Sequence, residues 1–188
     1  MNALDVAHRR VELGHGPFSG AFSLRRLDPN RDVDLVHFWM NDPEVARFWE
    51  MPWPRDRIAT YLREQDSSRH SAPYLGVLDG VPMSYWELYR ADLDPLARYY
   101  TARPHDAGVH LLLGPAECRG RGLAAELLRA VADWQLGADP QARRVVAEPD
   151  VRNERSVRVF QRAGFRRVTD LDLPDKRAAL MVRHREVP

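Results

Sequence analysis

Gly108-Val109-His110-Leu111-Leu112-Leu113-Gly114-Pro115, followed after three residues by Arg119-Gly120-Arg121-Gly122-Leu123-Ala124, is the stretch that decides the fold. Its first half reads as a strongly apolar strand over Gly108–Leu113. Its second half turns through glycine and enters a helix, because Leu123, Leu127, Leu128 and Val131 recur at helical spacing. N–H groups left free at a helix start, with the helix dipole behind them, form an anion site. Glycines let a phosphate approach the backbone closely. The loop lacks the Gly-Lys-Ser/Thr ending of a nucleoside triphosphatase and carries only half of Gly-x-Gly-x-x-Gly. From these residues alone, a glycine turn with ordinary packing reads equally well.

Upstream of that stretch, Ala21–Leu27 is expected to be a strand. Asp32–Met40 and Pro43–Phe48 read as helices broken at Asn41-Asp42-Pro43, and Pro54–Gln65 as a third helix. Pro73–Leu78 and Val81–Leu88 flank Asp79-Gly80, a hairpin signal. Downstream, Arg143–Ala147 reads as a strand, Asn153–Ala163 as a helix, and Phe165–Leu173 and Ala178–Val182 as closing strands. Strand and helix alternate, so the expected class is α/β or α+β, with a mixed sheet of six to seven strands flanked by helices. Residues 1–20 are expected to form a mobile arm and residues 21–188 a single domain.

With 188 residues and 44% apolar side chains, the chain buries a core without staples and is not intrinsically disordered. The 28 basic and 27 acidic side chains nearly cancel, which argues against nucleic acid as a partner. A single cysteine, Cys118, excludes an intrachain disulfide and a cysteine zinc cluster. No apolar run approaches a membrane span and no signal-peptide core is present, so the expected location is cytoplasmic, with no membrane partner. Lys176 is the one lysine among the 28 basic residues. Arginine usage that uniform reads as codon bias toward high GC.

Arg119-Gly120-Arg121-Gly122-Leu123-Ala124 resembles the Arg/Gln-x-x-Gly-x-Gly/Ala signature of the GNAT superfamily of N-acetyltransferases, whose loop binds the pyrophosphate of coenzyme A. Asn153 to Phe165 resembles the family's Asn-x-x-Ala-x-x-x-Tyr-x-x-x-Gly-Phe helix. The segment from Phe38 to Trp49, Tyr85-Trp86-Glu87-Leu88-Tyr89, Gly108-Val109-His110-Leu111-Leu112 and Glu148-Pro149-Asp150-Val151-Arg152-Asn153 look like the siderophore-biosynthesis acyltransferase branch. The resemblance covers roughly residues 20 to 185. It implies acetyl-CoA or succinyl-CoA as co-substrate, without a metal. The cofactor would be held by Leu111, Leu112, Leu113, Arg119, Gly120, Arg121, Gly122, Leu123, Ala124, Asn153 and Phe160. Phe160 departs from the family, in which a tyrosine here is proposed to protonate the departing thiolate, because a phenyl ring has no proton to give.

The resemblance further implies transfer of an acyl group to a small amine or hydroxylamine, of hydroxycadaverine or hydroxylysine type, by direct attack in a ternary complex. A carrier protein is an alternative acyl source. His110, mid-strand before the turn, suits a general base. Asp150 would orient the imidazole or bind the substrate nitrogen, and reads equally as a turn or cap residue before the next helix. A backbone N–H near Leu111 would stabilise the oxyanion. Trp39, Trp49 and Trp86 would supply apolar substrate walls, although aromatics at such spacing are more often core. Asn41 and Glu87 would hold a polar end group. Arg143 and Arg144 read as a solvated face, and His105 and Asp106 as turn residues. The rival readings are an aminoglycoside N-acetyltransferase and a non-catalytic acyl-CoA sensor. An acyl-cysteine route through Cys118 also remains open.

Overall fold

Asp79 and Gly80 take left-handed backbone angles, φ 48° and 83°. Those angles match the right-handed twist of the strands a two-residue hairpin joins, here β3 (Ser71–Leu78) and β4 (Val81–Arg90). The computed structural model describes residues 4–14 and 18–186. Its contacts divide into two compact units. One is made of Ala7–Glu87 and Leu111–Leu123, the other of Met1–Val6, Leu88–His110 and Ala124–Pro188.

In the first unit, β1 (Arg10–Leu13) pairs antiparallel with β2 (Gly20–Arg26), and β2 pairs antiparallel with β3. β1 lies in the segment expected to be an arm. Its one buried side chain is Leu13, so its register with β2 defines it more than any apolar pattern does. The Asp79 carboxylate accepts the Ala21 N–H at 2.8 Å, in space that a Cβ on Gly20 would fill. Three helices follow β2: α1 (Val33–Met40), α2 (Pro43–Trp49) and α3 (Arg55–Ser67). The break between α1 and α2 has a local cause. Pro43 occupies the first helical position, where its missing N–H costs nothing, and the Asp42 side chain caps Glu44 N at 2.9 Å. Val36, Met40, Ile58, Leu62, Leu75, Tyr85 and Leu112 share one core.

The second unit carries the β-α-β part: β5 (Ala107–Leu113, its last three residues in the first unit), α4 (Leu123–Ala138), β6 (Arg144–Ala147), α5 (Glu154–Arg162), β7 (Arg166–Asp172) and β8 (Arg177–His184). The strand order is β1-β2-β3-β4-β5-β6-β8-β7. The fold is therefore α/β, and its mixed sheet has eight strands, above the expected six to seven. The ladder between β5 and β6 is parallel and comprises Ala107↔Val145 and Gly108↔Val146; β5 runs on past it to Leu113. Among the described residues, no helix is long and apolar enough to cross a membrane.

Arg144 departs from the expected solvated face, and its partner is Asp106, in the turn before β5 as expected. Both are buried, and the guanidinium donates from Nε and Nη2 to the two carboxylate oxygens at 2.7 Å each. Arg144 also donates to Thr101 O, while Tyr100 O–H and Arg103 N–H donate to Asp106. Arg144 is thus a core ion pair, and Asp106 organises the loop before β5. Asp106→Ala would leave a guanidinium buried without its partner. It is expected to lower the unfolding free energy by about 3–5 kcal/mol, measured by urea denaturation.

Candidate active site

The glycine turn needs its glycines. Gly120 and Gly122 sit at φ 75° and 84°, the left-handed region that side chains with a Cβ seldom adopt. A Cβ on Gly122 would meet nothing within 4 Å, so there is open room at the start of α4. The N–H groups of the helix's first turn have no intrahelical acceptor.

Arg119 is spoken for. Its Nε donates to Leu113 O at 3.1 Å, and Nη2 donates to Asp42 Oδ2 at 2.8 Å and to Gly114 O. Nη1 donates to Glu44 at 3.2 Å, and the Arg119 N–H is taken by Ala116 O. The residue is a clamp between the end of β5 and the α2 N-terminus. The guanidinium holds the Asp42 carboxyl below its ordinary pKa. Arg121 lies with its guanidinium 5.8 Å from the Phe18 ring centre. Cys118 is buried, and that burial pushes its thiol pKa up, away from the thiolate a nucleophile needs.

The residues expected to line the substrate site separate. Trp39 is buried against Gly114, whose missing Cβ makes the room, and belongs to the first unit's core. Trp86 is fully buried beside Phe22, with Nε1–H donating to Ser84 Oγ at 2.8 Å. Both are core. Asn41 uses its amide to tie His37 O and Trp53 O, at 3.0 and 3.1 Å. Trp49 is half-buried and stands edge-on to Tyr85, ring centres 5.8 Å apart. Glu87 is a buried carboxylate whose Oε1 accepts from Tyr85 O–H at 2.9 Å and from Tyr61 O–H.

His110 is half-buried, and its Nε2–H donates to Glu148 Oε1 at 2.5 Å. Tyr89 O–H donates to Glu148 Oε2 at 2.8 Å and lies 3.4 Å from His110 Nε2; the two rings are 4.9 Å apart. Lys176 Nζ stands 3.9 Å from Glu148 Oε1. Burial alone would raise the Glu148 pKa. The charge and hydrogen bond of His110, the Lys176 charge and the Tyr89 hydrogen bond outweigh it and pull the pKa down to about 2. Glu148 is therefore ionised at any working pH. Burial, reinforced by the Glu148 charge, pushes the Tyr89 phenol well above its ordinary value, so it stays a donor. Gly108 makes this packing possible, because a Cβ there would lie 2.2 Å from the Tyr89 ring.

The carboxylate facing His110 is Glu148, two residues before the expected Asp150. Asp150 accepts Arg152 N–H at 2.7 Å and Arg152 Nη2 at 2.6 Å, which is the turn role. The guanidinium hydrogen bond lowers its pKa. Asn153 caps α5 by accepting Ser156 N–H at 3.0 Å. Phe160 is buried edge-on to Phe165, ring centres 5.1 Å apart. Tyr89, Glu148 and Lys176 were not expected at the site from sequence, although Tyr89 and Glu148 fall inside the quoted motifs.

The Acetyltransferase (GNAT) domain model matches residues 28–173, and the chain belongs to that family. It is similar to the lysine N-acyltransferase MbtK of Mycobacterium sp. (strain MCS), 37% identical over 85% of this chain and 65% of that protein. It is also similar to the N(6)-hydroxylysine O-acetyltransferase of Escherichia coli, 36% identical over 87% of this chain and 52% of that protein. The chain thus spans less than two thirds of either relative. Among solved structures, an uncharacterized protein from Bacillus halodurans superposes with TM-score 0.85 at 35% identity, covering 93% of this chain and 90% of that one. Aminoglycoside acetyltransferase AAC(6')-Ib in complex with coenzyme A gives TM-score 0.79 at 26% identity, over 87% and 95%.

Proposed function

We propose that this chain is an acyl-CoA-dependent N-acyltransferase that acylates a lysine-type or N-hydroxylated amine for hydroxamate siderophore assembly. The observation that carries the reading is the His110–Glu148–Tyr89 cluster, built on the strand that leads into the glycine turn. The relatives named for lysine and hydroxylysine acylation support the acceptor class over an aminoglycoside. The donor would be acetyl-CoA or succinyl-CoA, drawn from a cytoplasmic pool, and it supplies an activated acyl thioester. The N–H groups of Gly120 to Ala124 would hold its diphosphate. The backbone of β5 beyond Gly108, Leu111 to Leu113 among it, would line its pantetheine arm.

His110 collects the proton that the acceptor nitrogen sheds as it bonds to the acyl carbon. Glu148, ionised at neutral pH, stabilises the imidazolium this makes. Tyr89 and Lys176 keep the carboxylate in place from its other sides. The N–H of Leu111 would receive the developing oxyanion. No phenol at Phe160 protonates the leaving sulfur, and a thiol with a pKa near about 8.5 leaves without one.

Thiol release from acetyl-CoA and succinyl-CoA against hydroxylysine, hydroxycadaverine, lysine and kanamycin tests the reading. Turnover of a lysine- or cadaverine-type amine is expected. Turnover of kanamycin alone, or cofactor binding without turnover of any amine, overturns it. Release only from a carrier-bound acyl group overturns the donor assignment. In the same assay Gly108→Ala, which must displace Tyr89, is expected to lower kcat by up to about 10²-fold through misplacement of Glu148. The circular dichroism spectrum should stay unchanged.

A further inference from the structure

The ladder between β5 and β6 ends at Gly108↔Val146. His110 lies two residues beyond that last rung on β5, and Glu148 two residues beyond it on β6. The rungs therefore stop just short of the pair whose 2.5 Å contact makes the site. Beyond them the spacing of the two strands needs another restraint. Gln135, fully buried on α4, reaches that point: its Nε2–H donates to Gly108 O at 3.0 Å. A carbonyl only accepts, so this bond fixes which end of the amide faces it. The other end, Oε1, is buried with no hydrogen-bond donor among the described residues. The Tyr89 ring packs on the same glycine, in space that a Cβ there would enter. All of these residues belong to one compact unit.

Burying an amide with half of its hydrogen bonding unmet carries a desolvation cost that an apolar side chain avoids. Gln135 follows Leu128, Val131 and Ala132 at helical spacing along the buried face of α4. Methionine, of similar volume, would pack there without that cost. What the amide supplies in return is the bond to Gly108. We infer that Gln135 is a positioning residue for the acyl-transfer site: it holds β5 at the last rung, so that His110 meets Glu148 and Tyr89 in register. The inference rests on the acyltransferase reading above. Gln135 acts through the Gly108 backbone and not on the reactants. A shift of that backbone carries His110 along its strand and unseats the Tyr89 ring, and a misplacement of about 1 Å is enough to slow a reaction severely.

The test compares Gln135→Met and Gln135→Glu with the wild type, by thiol release from acetyl-CoA against hydroxylysine, hydroxycadaverine and lysine. Methionine keeps the length and loses the donor. Its kcat is expected to fall about ten-fold, with the coenzyme A Kd within a factor of about two and the urea midpoint near that of the wild type. The downfield proton resonance of the His110 Nε2–H should move upfield as its bond to Glu148 lengthens. Glutamate restores a donor only while its carboxyl is protonated. The ratio of its kcat to that of the wild type should therefore fall as pH rises, while circular dichroism shows a folded chain. A Gln135→Met variant with wild-type kcat and an unmoved resonance overturns the inference and leaves the function standing. So does a loss of kcat that comes with a lowered urea midpoint and an unmoved resonance, because that is a defect of stability alone. A Gln135→Glu ratio that stays as low as that of Gln135→Met at every pH where the chain is folded also overturns it. A wild type that turns over none of the amines overturns the function, and the inference with it.

Discussion

His110→Ala is expected to lower turnover by about 10²-fold or more while coenzyme A affinity stays within a factor of about two. The reason is the protonation state of the acceptor. A lysine-type amine, with pKa about 10.4, is almost wholly ammonium at pH 7 and reacts only after losing a proton. A hydroxylamine nitrogen is already neutral there and sheds its proton during attack. The loss should therefore be larger for lysine than for its N-hydroxylated form, and raising the pH should restore part of the lysine rate. Steady-state kinetics with both acceptors across pH, together with calorimetric titration of coenzyme A, read both effects. A variant with undiminished kcat removes the base role. The opposite pattern is expected of Gly122→Val. It places a β-branched residue at φ 84° and should raise the coenzyme A Kd before it touches kcat.

Some features were legible because their causes are local. Asp79-Gly80 announces its hairpin through two residues that tolerate positive φ, and Asn41-Asp42-Pro43 announces a helix start through a cap and a proline. The strand, turn and helix order around Gly108 to Leu123 was readable for the same reason. What was not readable depends on partners far away in sequence. β1 is four residues with one buried side chain, and it exists through pairing with β2. Arg144 looks like a surface arginine until Asp106, 38 positions earlier, is seen to bind it. Trp39 and Trp86 illustrate a different limit. An indole is equally suited to a core and to a binding wall, and only the missing Cβ atoms of Gly114 and Gly76 show where the rings lodge.

Asp150 and Glu148 show how a site is missed by two residues. Both are acidic and both lie in one motif, so residue type cannot separate them. β6 ends at Ala147, which leaves Glu148 as the first residue beyond the strand, within reach of His110. Asp150 has already entered the turn that Arg152 closes. The distinction comes from the chain's path, which no spacing rule encodes.

Glu148→Gln carries the second large expectation: kcat lower by about 10²-fold, with two signatures that distinguish positioning from bulk structure. Glu148 acts through His110, since its negative charge favours the imidazolium. Without that charge the imidazole gives up its proton more readily, so the acid limb of the pH–rate profile should move to lower pH even as the plateau falls. A purely structural defect would lower the plateau and leave the limb in place. The second signature is in stability. The Glu148 pKa is depressed from 4.5 to about 2 on folding, so its ionisation contributes stability that is fully present above about pH 4.5 and lost as pH falls toward about 2. Glutamine has no proton to take up in that window. The difference in unfolding free energy between the wild type and Glu148→Gln should therefore shrink as pH falls from about 4.5 to about 2. Urea melts at closely spaced pH values measure it, and a difference that stays constant across the window would mean that the carboxylate is not held by His110, Tyr89 and Lys176 in the folded protein.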